Sequence, residues 1–415
     1  MPVLDPQNTQ TRRRCDGEDV SISDGRTSVY SGGSSGGFEK RLERELSYGR
    51  YNPFVRITIV GAGVIGCAVA HELSSRGANV RVIDMRGTGL GATQASAGIL
   101  APYIEGHIDA LLRLGVNSLA LYDAFIARVS DDAQRAIEYE RSGSLHVAKN
   151  EAAAMELAIA ARRFAHAGIA HELMPGHEAR RREGGLSPRI LSALLLPMHG
   201  YVRASELTSG LAAAAVRRGA EFLTASVEEI ETEGSAVIVK TSGGRVESDA
   251  LILAAGSWSG RVRPMTPPVR PVRGQLLHLH FHERPLSRVV WGTDCYLVPW
   301  RNGSLLVGAT VEEAGFDETA TAAGVTRLLA ASADLLTTVP EARFDAVRVG
   351  LRPGTPDELP LIGPSSTMPG VYYATGHYRN GVLLSPLTAK LVADLVMDGK
   401  RDPDLELVRP DRFGL

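Results

Sequence analysis

Cysteine is scarce in this 415-residue chain: Cys15, Cys67 and Cys295 are the whole supply. Three is an odd number and the spacing fits no metal-ligand pattern. No disulfide framework is expected, and a reducing cytoplasm is the expected compartment. A surplus of either charge is missing too. Lys and Arg total 45 against 47 Asp and Glu, so neither the footprint of a nucleic-acid binder nor a polybasic membrane patch is present. No uninterrupted apolar run approaches the roughly 20 residues that span a bilayer. What remains is an ordinary globular composition, 44% hydrophobic, long enough for two domains or for one large domain with an inserted layer.

Residues 1–50 are rich in Ser, Gly, Arg and Asp and include SVYSGGSSGG from Ser28 to Gly37. Such a stretch cannot bury enough apolar surface to offset its ordering entropy. It reads as a disordered tail, with room for one charged helix near Glu39 to Leu46. Arg12, Arg13 and Arg14 lead into CDGEDV rather than an apolar segment, which argues against an export signal.

The informative pattern starts at Phe54 to Val60, a β-branched, alternating run that reads as a buried strand. Gly61, Gly63 and Gly66 follow, supplying a tight turn, close backbone approach and close helix packing in that order. A helix is expected from Val64 to Arg76, stopped by Gly77. A second strand from Asn79 ends at Asp84, which lies 18 residues beyond Gly66 and can accept hydrogen bonds from both ribose hydroxyls of an adenosine half. Strand, glycine turn, helix and acid together read as a dinucleotide site, and NAD and FAD bind their adenosine halves alike.

The run RGTGLGATQASAGIL, Arg86 to Leu100, favours FAD, because small residues let backbone pass close to the middle of an extended ligand. DALILAAG, Asp249 to Gly256, reads as a buried strand returning to the same sheet, with Ser257 and Trp258 after it. A helix at Ser205 to Arg218 and alternating segments at Glu221 to Thr232 and Ala236 to Lys240 suit an α/β domain. Near the other end, His377, Tyr378, Arg379 and Asn380 form a tight turn before an apolar helix expected at Pro386 to Met397. Gly381 and Val382, just ahead of that helix, are placed to stabilise negative charge at the flavin N1 and C2 oxygen through backbone N–H groups.

Five longer segments carry a resemblance. They are GYVRASELTSGLAAAA (Gly200 to Ala215), PVRGQLLHL (Pro271 to Leu279), CYLVPWRNGSLLVGAT (Cys295 to Thr310), GLRPGTPDELPLIG (Gly350 to Gly363) and ATGHYRNGVLLSP (Ala374 to Pro386). Through them the chain, from about Phe54 onward, resembles the glycine oxidases of bacterial thiamine biosynthesis, within the D-amino acid oxidase family of FAD-dependent oxidoreductases. The resemblance implies an α/β and α+β fold, a Rossmann-like FAD-binding domain interleaved with an antiparallel-sheet substrate domain. Residues 51–136, 198–268 and 351–415 would form the first, and 137–197 and 269–350 the second.

It also implies non-covalent FAD and oxidation of a small amino acid substrate (glycine, sarcosine or small D-amino acids) to the imine. Molecular oxygen would take the electrons to give hydrogen peroxide. The imine would be hydrolysed or handed to a thiazole synthase. A homo-oligomer is expected, with no nucleic-acid or membrane partner. Carried over by motif, Arg352 and Arg379 match carboxylate-side substrate contacts and Tyr296 the active-site tyrosine. Gly61, Gly63, Val64, Ile65, Gly66, Asp84, Met85, Ala92, Thr93, Ala97, Gly98, Ile99 and Val227 fall on FAD-contacting positions, as do His377, Tyr378, Arg379, Asn380, Gly381, Val382 and Leu383. Val311 departs from the pattern, standing where a methionine can stand.

The residue types suit that chemistry. A planar guanidinium fixes a carboxylate by two parallel hydrogen bonds and so orients the Cα hydrogen, and Arg352 is expected on a rigid turn made by Pro353 and Gly354. Hydride loss needs the neutral amine, which a desolvated pocket favours, so no general base is required. His278, His280 and His282 alternate as a metal-binding face would, but with Leu277, Leu279 and Phe281 they suit a half-buried strand, and no metal site is expected. Two rival readings share the fold: a dehydrogenase passing electrons to a quinone, and a flavin-bearing partner subunit with little turnover.

Overall fold

The structure, a computed structural model, describes residues 55–103 and 109–415. The expected tail and the helix at Glu39 to Leu46 lie outside the described residues.

One sheet has six strands in the order Leu361–Pro364, Val371–Thr375, Ala250–Leu253, Arg56–Val60, Asn79–Asp84 and Glu221–Thr224. All neighbours are parallel except the first pair. Its central strands are buried on both faces, which explains the near-continuous apolar runs ITIV and ALIL. Arg56–Val60 lies between Ala250–Leu253 on one side and Asn79–Asp84 on the other, so the strand order turns around it. Ligands bind at the carboxyl ends of strands at such a switch point, which is where Gly61 to Gly66 stand.

A second sheet has eight strands: Arg343–Gly354, Arg270–His280, Ser304–Gly308, Tyr296–Pro299, Val289–Trp291, Ser144–Ala148, Ser192–Leu196 and Glu172–Pro175. It is antiparallel but for one pair, Val289–Trp291 beside Ser144–Ala148, which run parallel. The expected boundary between residues 350 and 351 falls inside the strand Arg343–Gly354. Arg352 therefore stands within a strand and not on a rigid turn; Pro353 and Gly354 continue the pairing with Arg270 and Pro271. The strand carrying the alternating histidines ends at His280, which leaves His282 off that face.

The helix Asp109–Ala133 is unbroken over 25 residues. Its stretch Ala110–Ala133 is long and apolar enough to cross a membrane, yet Leu114, Leu119, Tyr122, Phe125 and Val129 are buried in the protein core. It packs against the helices Ala204–Arg217 and Gly381–Asp398.

That last helix corrects the sequence reading. It spans Gly381–Asp398, so Gly381 and Val382 form its first turn and Pro386 lies inside it. Proline removes one backbone donor and frees the carbonyl four residues earlier, that of Val382. The long helix repairs the break. Tyr122 Oη donates to Val382 O at 2.5 Å, and Ser385 Oγ donates to the same oxygen at 2.9 Å. Ser118 Oγ is inserted one step on, donating to Leu383 O at 2.7 Å and accepting from Leu387 N at 3.3 Å. A helix thus continues through a proline because a neighbouring helix satisfies the freed groups, a compensation invisible to local pattern.

Tyr122→Phe removes one of the two donors to the buried Val382 carbonyl. Stability to chemical denaturation is expected to drop by about 1 kcal/mol, the low end for a partly compensated buried acceptor.

Candidate active site

Residues of both sheets line one cavity of about 710 Å³, within the range of cofactor and ligand sites. Of the residues expected to meet FAD, Gly61, Gly63, Val64, Ile65, Asp84, Met85, Ala92, Thr93, Ala97, Gly98, Ile99 and Val227 line it, as does the run His377 to Leu383. Gly66 does not. It sits behind the wall, where a Cβ would lie 1.9 Å from the Gly61 carbonyl oxygen. Its role is the packing of helix on turn. Gly61 has φ +112°, and a Cβ there would meet Ala254 O at 2.3 Å, so the turn admits no side chain at either position. Gly63 differs: an added Cβ would find only Thr93 Oγ1, at 3.5 Å, and would otherwise occupy open cavity.

Two helices begin on this cavity without a cap from the residue that precedes them, although Thr93 Oγ1 accepts from Val64 N at 3.1 Å. Gly63 precedes Val64–Ser75 and Asn380 precedes Gly381–Asp398; neither caps its helix by side chain, and neither first turn carries an acid. Such ends attract negative charge through unpaired N–H groups and the helix dipole. A pyrophosphate fits the first and an electron-rich flavin edge fits the second. Asp84 fits the adenosine half. Its carboxylate accepts from the amides of Ala62 at 2.8 Å, Arg86 at 2.7 Å and Gly87 at 3.1 Å, which fixes its direction and leaves one of about four acceptor positions for a ribose hydroxyl. The segment Arg86 to Ile99 runs along the cavity between these ends. The residues present therefore fit FAD.

The far end belongs to the eight-stranded sheet. Arg352 lines it, with Nη1 donating to Thr310 O at 3.0 Å and to Arg273 O at 3.4 Å. No carboxylate partner of Arg352 occurs among the described residues. Its guanidinium lies flat against Gly274 of the adjacent strand, where a Cβ would come within 2.3 Å of Nη1. Tyr296 uses the same device. Its ring covers Gly308, where a Cβ would lie 2.3 Å from Cζ, and it leans on Trp291 with ring centres 5.1 Å apart. A glycine inside a strand marks close approach of another group, and here each one clears space for a site side chain. Gly350 clears space of another kind, since a Cβ there would sit 2.8 Å from the Cβ of Ala95.

Arg379 also lines the cavity but is exposed, its guanidinium 5.0 Å from the Tyr378 ring centre. Tyr378 has φ +48°, uncommon for a non-glycine residue, and its amide donates to Pro353 O at 2.9 Å. That bond ties the turn carrying Arg379 to the strand carrying Arg352. His377 is buried and hydrogen-bonded to Thr388 Oγ1 at 3.0 Å; burial pushes its pKa down to about 3, which leaves it neutral and unsuited to collect a proton. Cys295 lines the cavity as well, and burial, with Asp294 nearby, pushes its thiol up to about 12. Among the described residues no group of three His, Cys, Asp or Glu could hold a metal ion.

Sequence reasoning missed several lining residues. Trp291, Asp294 and Arg327 belong to a hairpin and a helix that approach the cavity only through folding of the eight-stranded sheet. Trp258 and Arg261 line it too, and they receive the loop that follows Val311. Phe316 packs on Trp258 at 5.6 Å, Arg261 lies 3.5 Å over the Phe316 ring, and Glu318 pairs with Arg86 at 2.7 Å. No local spacing signals these contacts.

A switch-point glycine turn and an acid from one sheet and a fixed guanidinium from the other line a single cavity, an arrangement that fits a dinucleotide-binding protein. Comparison with known proteins makes the class specific: the family model described as DAO, FAD dependent oxidoreductase, matches residues 56–395, and the chain belongs to that family. It is 35% identical over 364 residues to the bifunctional protein ThiO/ThiG of a Nostoc species, covering 84% of this chain and 53% of the relative. The chain thus spans about half the length of that relative. It is 33% identical over 347 residues to the glycine oxidase of Geobacillus kaustophilus, covering 82% of this chain and 92% of the relative. The crystal structure of glycine oxidase from Geobacillus kaustophilus matches with a TM-score of 0.81 at 32% identity, over 84% of this chain and 96% of that one.

Two measurements probe this site. Gly63→Ala is expected to keep the fold while weakening FAD binding about tenfold, as crowding costs roughly one charge-assisted hydrogen bond; titration of flavin fluorescence reads it. His377 and the fully buried His199 both have pKa values lowered from 6.5 by burial. Below about pH 6.5 the unfolded chain takes up protons that the folded chain refuses. Stability is therefore expected to be intact above that pH and to decline as pH falls toward about 3, in denaturation curves recorded across the range.

Proposed function

We propose that the chain oxidises glycine and other small amines, sarcosine and small D-amino acids among them, to the imine. Water then releases glyoxylate and ammonia from glycine, with hydrogen peroxide as the second product. The observation that carries this reading is Arg352: a guanidinium tethered on one side by two carbonyls, without a carboxylate partner among the described residues, at the end of the FAD cavity. The relatives known as glycine oxidases support it.

FAD, when bound, takes two electrons and a hydrogen from the substrate carbon and returns the electrons to oxygen. The chain's own residues do the rest. Arg352 takes the α-carboxylate through the donors its carbonyl tethers leave over, which turns the Cα hydrogen toward the cofactor. The strand holds the guanidinium in place before substrate arrives, so little orientation is lost on binding. Arg379, tied through Tyr378 to Pro353, approaches the same carboxylate from the cavity mouth. Tyr296 closes the side of the pocket and keeps water from it. A dry pocket disfavours the ammonium form, so the amine reacts with its lone pair free. The imine suits hand-off to a thiazole-forming partner, since one relative joins both names in a single protein.

The test is an anaerobic spectrum of the purified protein with glycine, sarcosine and D-alanine added in turn. Each is expected to bleach the visible flavin band, with air restoring it. Arg352→Lys keeps the charge but loses the planar fork, and kcat/KM on glycine is expected to fall about ten- to a hundredfold. A flavin that no amino acid bleaches, or a lysine variant with unchanged kcat/KM, overturns the reading.

A further inference from the structure

The cavity wall holds more positive charge than one α-carboxylate requires. Arg86 is matched by Glu318, at 3.0 and 2.7 Å. The two lining acids do not balance the rest: Asp84 is committed to backbone amides, and Asp294 faces Lys149 Nζ at 3.9 Å. Three guanidinium groups, Arg352, Arg327 and Arg261, line the cavity with no carboxylate partner among the described residues, and Arg261 is occupied over the Phe316 ring. Arg352 has its task in the reading above. Arg327 has none there, and the dinucleotide phosphates belong at the helix end beyond Gly63, on the other sheet.

The position of Arg327 is built and not incidental. It stands on the helix Ala322–Leu335, whose start is pinned to the eight-stranded sheet by Gln275. Gln275 Nε2 donates to Thr321 Oγ1 at 2.9 Å, and Thr321 N donates to Gln275 Oε1 at 2.8 Å. Gly324, Leu328, Ser332 and Leu335 form the buried stripe of this helix. Arg327 flanks that stripe, exposed to water and lining the cavity, as do Val311 and the hairpin residue Asp294. A residue that is both exposed and lining is at the rim, here on the substrate-sheet side.

We propose that Arg327 is a specificity-determining residue that favours amino-acid substrates bearing a second anionic group, on the nitrogen or on the side chain, while Arg352 takes the α-carboxylate. The proposal rests on the oxidase reading above. Iminodiacetate and sarcosine are a matched pair for it, both N-substituted glycines, one ending in a carboxylate and the other in a methyl group. The reaction is the same for both. One C–H bond of a methylene breaks, its hydrogen and two electrons pass to FAD, the N–H proton goes to solvent and a C=N bond forms. Water then splits the iminodiacetate product to glyoxylate and glycine, and oxygen takes the two electrons as hydrogen peroxide.

The experiment compares kcat/KM for the two substrates in the wild-type holoenzyme and in Arg327→Ala, Arg327→Lys and Arg327→Glu. Arg327→Ala is expected to lower the iminodiacetate value about tenfold and the sarcosine value less than about twofold, with Arg327→Lys recovering most of the loss and Arg327→Glu deepening it. Raised salt should shrink the iminodiacetate advantage in wild type only. Equal losses on both substrates, no loss on either, or a wild type that takes sarcosine but not iminodiacetate would each overturn the assignment of Arg327 and leave the oxidase reading standing. A wild type whose flavin neither substrate nor glycine reduces would remove the oxidase reading, and this proposal with it.

Discussion

Two helices in this fold begin at one cavity with their first turns uncapped by the residue before them, and the rest of the architecture follows from keeping those ends open. A buried helix end short of partners is costly; Thr93 Oγ1 accepts from Val64 N at 3.1 Å, and the amides left over suit a negative group. At Val64 the approach must be close, which leaves Gly61 and Gly66 no room for a Cβ. At Gly381 the helix must start early enough to face the cavity, which pushes Pro386 into its interior. Ser118 and Tyr122 of the long helix then satisfy the groups that the proline sets free. A residue pair with no part in the chemistry thus supports the helix end that the chemistry needs.

The meeting of the two sheets obeys a complementary rule, in which absent side chains make places for present ones. Gly274 lets the Arg352 guanidinium lie against a strand, Gly308 does so for the Tyr296 ring, and Gly350 admits the segment around Ala95. Gly274 and Gly350 stand in strand interiors and Gly308 at a strand end, and an interior glycine weakens its strand in isolation. The cost is offset by a site whose side chains are held before substrate arrives, and pre-placement of this kind reduces what binding must spend in orientation. Charge follows the same division. The glycine-turn side uses backbone amides and one acid, whereas the eight-stranded sheet and its helix bring Arg352 and Arg327, which have no carboxylate partner among the described residues.

Much of the first sheet was legible in order. ITIVGAGVIG and NVRVID carry strand, turn, helix and acid within thirty residues, and short-range periodicity marks them even though the elements they pack against lie far along the chain. The alternation in PVRGQLLHL likewise marks a strand. The start of the last helix was misread, because proline is a strong local signal for a beginning and the helix groups that overrule it come from 260 and 265 residues away. Arg352 was found by its motif, but the strand that holds it was mistaken for a turn, since Pro353 and Gly354 look like turn residues until their pairing partners are known. Trp291, Arg261 and Arg327 left no trace in spacing at all.

By itself the sequence determined the glycine turn, its flanking strand and helix, and the chemical types available to the site, because backbone sterics and short-range periodicity act between neighbours. Tertiary structure alone decided which guanidinium groups share one cavity, which of them lack a carboxylate partner among the described residues, and that a proline could sit within a helix. Those outcomes depend on through-space distances between segments separated by tens to hundreds of residues, and a chain carries no record of them until it has packed.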